Sequence, residues 1–239
     1  MKREFYYQDD RSNKFWTIEL TGNECITTHG RVGAKPRETR KQFPSEDEAE
    51  RESGKQIASK LKKGYIEGTA PEYEKPDWAS LDMSEDVFWR IIALFNWKKT
   101  GDDDAVIEPA VKALAQMSLD DIERFEDILS ERLFVLDTEA HAREIGEYAY
   151  QPGKYFSPDW FLYERCVVVA NGCEFYESVL ADATKMPKDM EFEALLTVAP
   201  TAFERKTGEE FDHVSGVSYE TYSNQAGWRS ADVPDDSQE

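Results

Sequence analysis

The sequence predicts an α+β chain in two parts: a small antiparallel β-sheet with one covering helix, followed by an all-α helical domain. Three observations carry this. Apolar residues alternate with period two through residues 3–43, then switch to helical spacing after Ser45. Residues 67–82 hold two prolines, a glycine and no periodicity, which reads as a linker. The charge also divides. Residues 1–70 hold 14 Lys+Arg and 12 Asp+Glu, net +2, and residues 71–239 hold 15 and 37, net −22, which sum to the −20 of the whole chain. The expected organisation is therefore a β-sheet domain over 1–66, a linker over 67–82, an acidic helical domain over 83–228 and a disordered polar tail over 229–239.

Each element has its own signal. "EFYYQ" (4–8) predicts an edge strand. In "KFWTIEL" (14–20), Trp16, Ile18 and Leu20 share one face while Phe15, Thr17 and Glu19 share the other. "TGNE" (21–24) supplies a turn, "CITTHGRVG" (25–33) a second strand and "RETRKQF" (37–43) a third. Ser45 with Glu48 forms a capping-box pattern at the start of a helix whose first turn is acidic and whose last turn carries Lys60, Lys62 and Lys63. Gly64 is its expected C-terminal stop, and Ala49, Ile57 and Leu61 its expected buried face. Beyond the linker, Ser84, Ser118 and Ser157 are N-cap candidates. They precede apolar stripes such as Phe88/Ile91/Ile92/Phe95 and Ile122/Phe125/Ile128/Leu129, which read as core. Pro109 starts or kinks one helix. Residues 138–150 and 190–208 continue the helical pattern, giving six to eight helices in all.

"KFWTIEL", "HGRVG", the basic "RKQF" and a Glu/Ala-rich helix ending "KLKKGY" resemble, in that order, a WGR domain over roughly residues 3–66. His29 stands where that motif has its tryptophan. The resemblance implies DNA contact through a hairpin tip at Gly30 and Arg31, as in the accessory module of poly(ADP-ribose) polymerases. It does not imply ADP-ribose transfer, because the catalytic domain has no counterpart here. "SEDVFWRII", "FLYERCVVVANGCEFYESVLAD" and "YETYSNQAGW" resemble DUF4240, a bacterial domain of unknown function, over about residues 83–228.

The candidate nucleic-acid-binding residues are His29, Gly30, Arg31, Lys35, Arg37, Arg40 and Lys41. Lysine and arginine neutralise backbone phosphates and release counterions, and arginine can grip a phosphate with two bonds. The same cluster would also suit another anionic or protein partner, or a solvated strand face paired with Glu46, Asp47 and Glu48.

Other constellations point to no chemistry. No G-x-S-x-G, P-loop or H-E-x-x-H pattern occurs, so no catalytic residue is assigned. His29, His141 and His213 are scattered, and the Asp102–Asp104 run lacks EF-hand spacing, so no metal or cofactor is expected. His141 with Glu144 reads as a surface contact. Cys25, Cys166 and Cys173 read as reduced, mostly buried thiols, the last two seven apart and able to share a helix face. "YETYSNQAGW" (219–228) reads as a loop packed by Tyr222 and Trp228, or as a pocket lining. No apolar run is long enough for a membrane span and no signal-peptide h-region follows Met1, so a cytoplasmic location is expected.

The resulting expectation is a non-enzymatic binding protein. Residues 29–41 would meet DNA or RNA, while the acidic helical domain would bind a basic protein or restrain the first domain. The alternative is a protein-interaction or immunity-type module that never touches nucleic acid.

Overall fold

The computed structural model describes residues 2–9, 12–69 and 76–228, and the chain divides into two compact units, Met1–Pro76 and Asp77–Glu239. The anticipated disordered tail at 229–239 and part of the linker, 70–75, lie outside the described residues.

In the first unit, strands β1 (Lys2–Asp9), β2 (Ser12–Thr21), β3 (Glu24–Arg31) and β4 (Arg37–Gln42) precede helix α1 (Glu46–Lys62). A two-residue strand β5 (Ile66–Glu67), which no period-two pattern announces, follows at the boundary between the predicted domain and the predicted linker. The sheet order is β4-β3-β2-β1-β5, antiparallel throughout. Phe5, Trp16, Ile18 and Cys25 point to one face and are buried there with Phe43, Ala49 and Ile57. Helix α1 lies on that face. Its N-cap Ser45 accepts the Glu48 backbone N–H at 3.2 Å, and Gly64, at φ +80°, turns the chain away from its C-terminus. The buried stripe is Ala49, Ser53 and Ile57; Leu61 is exposed, one turn too far toward the helix end to reach the sheet. The opposite sheet face carries no helix of this unit and forms a shallow groove of about 560 Å³ among Phe15, Thr17, Ile26, Thr28 and Val32.

The second unit is built from α2 (Glu85–Ile92), α3 (Asp103–Leu114), α4 (Leu119–Leu136), the short α5 (Glu139–Ala142), α6 (Pro158–Ala170), α7 (Cys173–Ala181) and α8 (Val198–Thr207), with 3₁₀ segments before α2, between α2 and α3, and twice between α7 and α8. Ser84, Ser118 and Ser157 cap α2, α4 and α6, and at α4 the reciprocal box with Asp121 is complete. Pro109 sits inside α3, whose start is set by the Asp102 side chain accepting the Ala105 N–H at 3.1 Å. The core gathers Phe88, Ile91, Phe95, Phe125, Phe161 and Val168, with α6 buried along most of its length.

Three expectations are corrected. Residues 138–150 are helical only over Glu139–Ala142, because Gly146, at φ +94°, wraps the chain against Asp189, whose carboxylate accepts the Glu147 N–H at 2.7 Å. His141 is not a surface residue: it is buried, with Nδ1 2.7 Å from the Thr138 hydroxyl and Nε2 3.3 Å from the Val179 carbonyl. Cys166 and Cys173 do not share one helix, since Gly172, at φ +93°, separates α6 from α7; Cys166 is buried and Cys173 exposed.

Candidate nucleic-acid interface

The two-residue turn at Gly22 and Asn23 fixes the β2–β3 register, so Lys14 faces Arg31 and Trp16 faces His29. Pairing of β3 with β4 then sets His29 beside Arg37 and Cys25 beside Lys41. Because side chains alternate across a sheet, His29, Arg31, Arg37 and Lys41 all emerge on the helix-bearing face. Lys35 lies in the exposed β3–β4 loop, whose Gly33 adopts φ +81°, and Gly30 is the penultimate residue of β3, where a Cβ would meet the Phe15 ring and Pro36 at 3.5 Å.

Arg40 is set apart from the rest. It emerges on the opposite face, donates to Glu38 at 2.8 Å and lies 4.0 Å from Glu24. The bond to Glu38 stabilises its charged form and raises its pKa. That opposite face holds Glu4, Glu19, Glu24 and Glu38 against Lys2 and Arg40, and Lys2 is itself paired with Glu4 at 2.7 Å.

Pairing separates the cations of this unit further. Lys2, Arg3, Arg40, Arg51 and Lys55 each contact a carboxylate. Among the described residues, no ion pair takes Lys14, Arg31, Lys35, Arg37, Lys41, Lys60, Lys62 or Lys63. The unpaired set contains every arginine and lysine of the predicted hairpin except Arg40.

Four of these lysines, Lys14, Lys60, Lys62 and Lys63, were not among the sequence candidates. Lys14 stands over the Tyr7 ring at 5.6 Å, and Lys60 stands over Trp16 at 5.3 Å and Tyr65 at 4.6 Å. Tyr7 and Tyr65 are themselves 5.7 Å apart. Burial lowers the pKa of Lys60, and the nearby charges of Lys63 and Lys14 add to the effect. The signal for Lys14 lay in the turn: once Gly22–Asn23 is taken as a two-residue hairpin loop, Lys14 must sit opposite Arg31. Nothing in the local sequence places Lys60 beside them, because that depends on how α1 crosses the sheet.

The second unit carries buried ionisable groups of a different kind. Glu164 is fully buried, accepts from Trp160 Nε1 at 3.2 Å and from the Met190 N–H at 3.0 Å, and burial pushes it up to about 7. Glu126 is buried beside Asp127 and His213 and is likewise pushed up to about 7. Arg165, fully buried, donates to the Leu133 carbonyl at 2.7 Å and to the Thr221 hydroxyl at 2.9 Å. These groups tie the fold together. Among the described residues, no helix is long and apolar enough to cross a membrane.

Comparison with known proteins matches both parts of the chain. The WGR domain family matches residues 1–72, and the family described as "Protein of unknown function (DUF4240)" matches residues 83–205. "Uncharacterized protein YfeS" of Escherichia coli (strain K12) is 42% identical over 67 residues, 28% of this chain and 28% of its own. "Protein YehF" of the same strain is 43% identical over 65 residues, 27% of this chain and 24% of its own. The chain thus spans about a quarter of the length of these curated relatives. A crystal structure from Bacteroides fragilis covers 47% of this chain and 48% of its own at 23% identity and a TM-score of 0.30, too slight a likeness to bear on the fold. The WGR domain is of a nucleic-acid-binding type, whereas the function of DUF4240 is unknown.

Proposed function

This chain belongs to the DUF4240 family and begins with a WGR domain, and on that premise we propose that it is a non-enzymatic binding protein whose WGR sheet meets nucleic acid. The observation that carries the reading is the sorting of cations. His29, Arg31, Arg37 and Lys41 share the helix-bearing face, with Lys35 in the loop beside it, and none of the arginines and lysines among them is neutralised by a carboxylate. A surface that served only solubility would gain from interspersed signs. Arg3 on the same face is held by Glu67 at the β1 edge, whereas the sheet cations of β2, β3 and β4 on that face stay unpaired, at about 4.8 Å strand spacing. Arg40, turned to the other face and held by Glu38, is left out of this interface.

The acidic second part, net −22 over residues 71–239, acts in this reading as an electrostatic restraint on the first. A titration of the full chain, and of residues 1–76, against a labelled 20-base-pair DNA duplex and the matching single-stranded DNA and RNA tests both ideas. The expected result is binding that weakens steeply with salt and is tighter for the shorter chain. No binding by either at low salt would sink the reading and favour a protein partner. A basic protein captured by the full chain, and unaffected by reversing the charges of Arg31 and Arg37, would then identify that class.

A further inference from the structure

We propose that Lys14, Lys60 and Lys63 form a second anion-binding patch, continuous with the hairpin, that takes backbone phosphates without reading bases; this rests on the nucleic-acid reading above. Gathering these cations costs the folded chain electrostatic energy. Lys14 sits directly opposite Arg31, a like-charge cross-strand pair, which destabilises an antiparallel sheet. Lys60 is half-buried, and its ammonium is disfavoured first by that burial and then by Lys63 and Lys14. The basic end of α1 accounts for part of this through the helix macrodipole. It does not account for Lys14 and Arg31, which come from the sheet. No carboxylate among the described residues offsets the group. A bound anion would.

The aromatic floor decides which part of a nucleic acid this patch can use. Bases bind sequence-tolerantly by stacking on open aromatic faces. Here those faces are taken: Lys60 covers Trp16 and Tyr65, and Lys14 covers Tyr7. Trp16 is also buried in the core. The rings hold the ammonium groups in place by cation–π attraction, and Lys14 and Lys60 both remain partly exposed, within reach of a phosphate. The patch therefore contacts the backbone alone. From β4 to β2, the strands that carry unpaired cations, the face crosses two strand spacings, roughly 10 Å. That equals about three phosphate repeats of one DNA strand at roughly 3.4 Å each.

The test uses the full chain and its Lys14→Gln, Lys60→Gln, Lys60→Arg, Arg31→Gln/Arg37→Gln and Arg40→Gln variants. Anisotropy titrations against a 20-base-pair duplex, dA20 and dT20 would run at four salt concentrations. Lys14→Gln and Lys60→Gln should each lower the log–log salt slope on duplex by about 0.9, with Lys60→Arg close to wild type. The loss should be the same on dA20 as on dT20. Arg40→Gln should change nothing. Lys14, which covers only Tyr7, keeps the test sharp if Lys60→Gln loosens the packing over Trp16. Unchanged slopes in the lysine variants, with clear loss in the Arg31/Arg37 pair, would overturn this inference and leave the hairpin reading standing. A loss confined to one base composition would overturn the backbone-only assignment. Absence of binding by the wild-type chain would overturn both, as would binding to phosphatidylserine vesicles in its place.

Discussion

Asp137 and Arg165 are both fully buried, and they hold one segment, 221–228, from two sides rather than pairing directly with each other. The Asp137 carboxylate accepts the backbone N–H groups of Tyr222 at 3.2 Å and Asn224 at 3.0 Å and the indole N–H of Trp228 at 2.8 Å. Arg165 donates to the Thr221 hydroxyl, which in turn donates to the Pro158 carbonyl at 2.7 Å. Trp228 closes the arrangement against Tyr150, Phe156, Phe161 and Tyr222, and Tyr222 itself sits at φ +77°, a conformation rare for a bulky residue. The segment beyond the family match at 205 is thus part of the helical unit's structure.

Removing the Asp137 carboxylate leaves a buried guanidinium without its nearest counter-charge and three donors without an acceptor. We expect Asp137→Ala to lose about 3–5 kcal/mol of stability, the scale for breaking a buried charge arrangement on one side. Trp228→Phe keeps most of the ring packing and forfeits one bond to a charged acceptor, about 1.5–3 kcal/mol. Urea unfolding followed by tryptophan fluorescence reports on this unit, since five of the six tryptophans lie beyond Pro76. An Asp137→Ala midpoint equal to wild type would show that the strap does not stabilise the unit.

These cases also show what a sequence makes legible. The period-two pattern around Trp16 and Ile18, the Ser caps and the core stripes are local, and each is realised where the pattern puts it. Asp137 and Trp228 stand 91 residues apart, and no local pattern joins them. The hairpin cations were legible as a cluster but not as two faces. Arg40 and Lys41 are neighbours in the chain, and only the strand register turns one toward Glu38 and the other toward Phe43.

Glu126 and Glu164 predict how stability depends on pH. Both are pushed up to about 7 by burial, against about 4.5 for an ordinary glutamate. The folded chain therefore holds protons that the unfolded chain has released. Their stabilising contribution is complete below about pH 4.5 and is lost as the pH rises through 7. Urea midpoints measured from pH 5 to 8 should fall across that window. Glu126→Gln and Glu164→Gln should each flatten part of the slope. A wild-type profile that rises from pH 5 to 7 would contradict the burial argument.

The three thiols should differ in reactivity. Cys25 and Cys166 are buried and Cys173 is exposed, so a disulfide reagent should label one thiol in the native chain and three after denaturation. The reaction at Cys173 should be slow at neutral pH. Partial burial and the carboxylate of Glu177 raise its pKa, which keeps the thiolate scarce. Rapid labelling of two native thiols would mean that the α6 or sheet core opens far more readily than its packing implies.

Gly54 offers a test in which stability and binding should part. It lies inside α1 on the solvent side, and a Cβ built there meets nothing within 4 Å. Nothing in the structure requires glycine at this position, and glycine in a helix interior costs about 1 kcal/mol relative to alanine. Gly54→Ala should therefore raise the stability of the first unit by about that amount, read as a later unfolding midpoint through Trp16 in residues 1–76. Binding to the 20-base-pair duplex should be unchanged, since the unpaired cations lie at the far end of the helix and on the sheet. If Gly54→Ala stabilises the unit yet weakens binding, α1 must bend to engage the ligand, and Lys60 would then reach its phosphate only in the bent form.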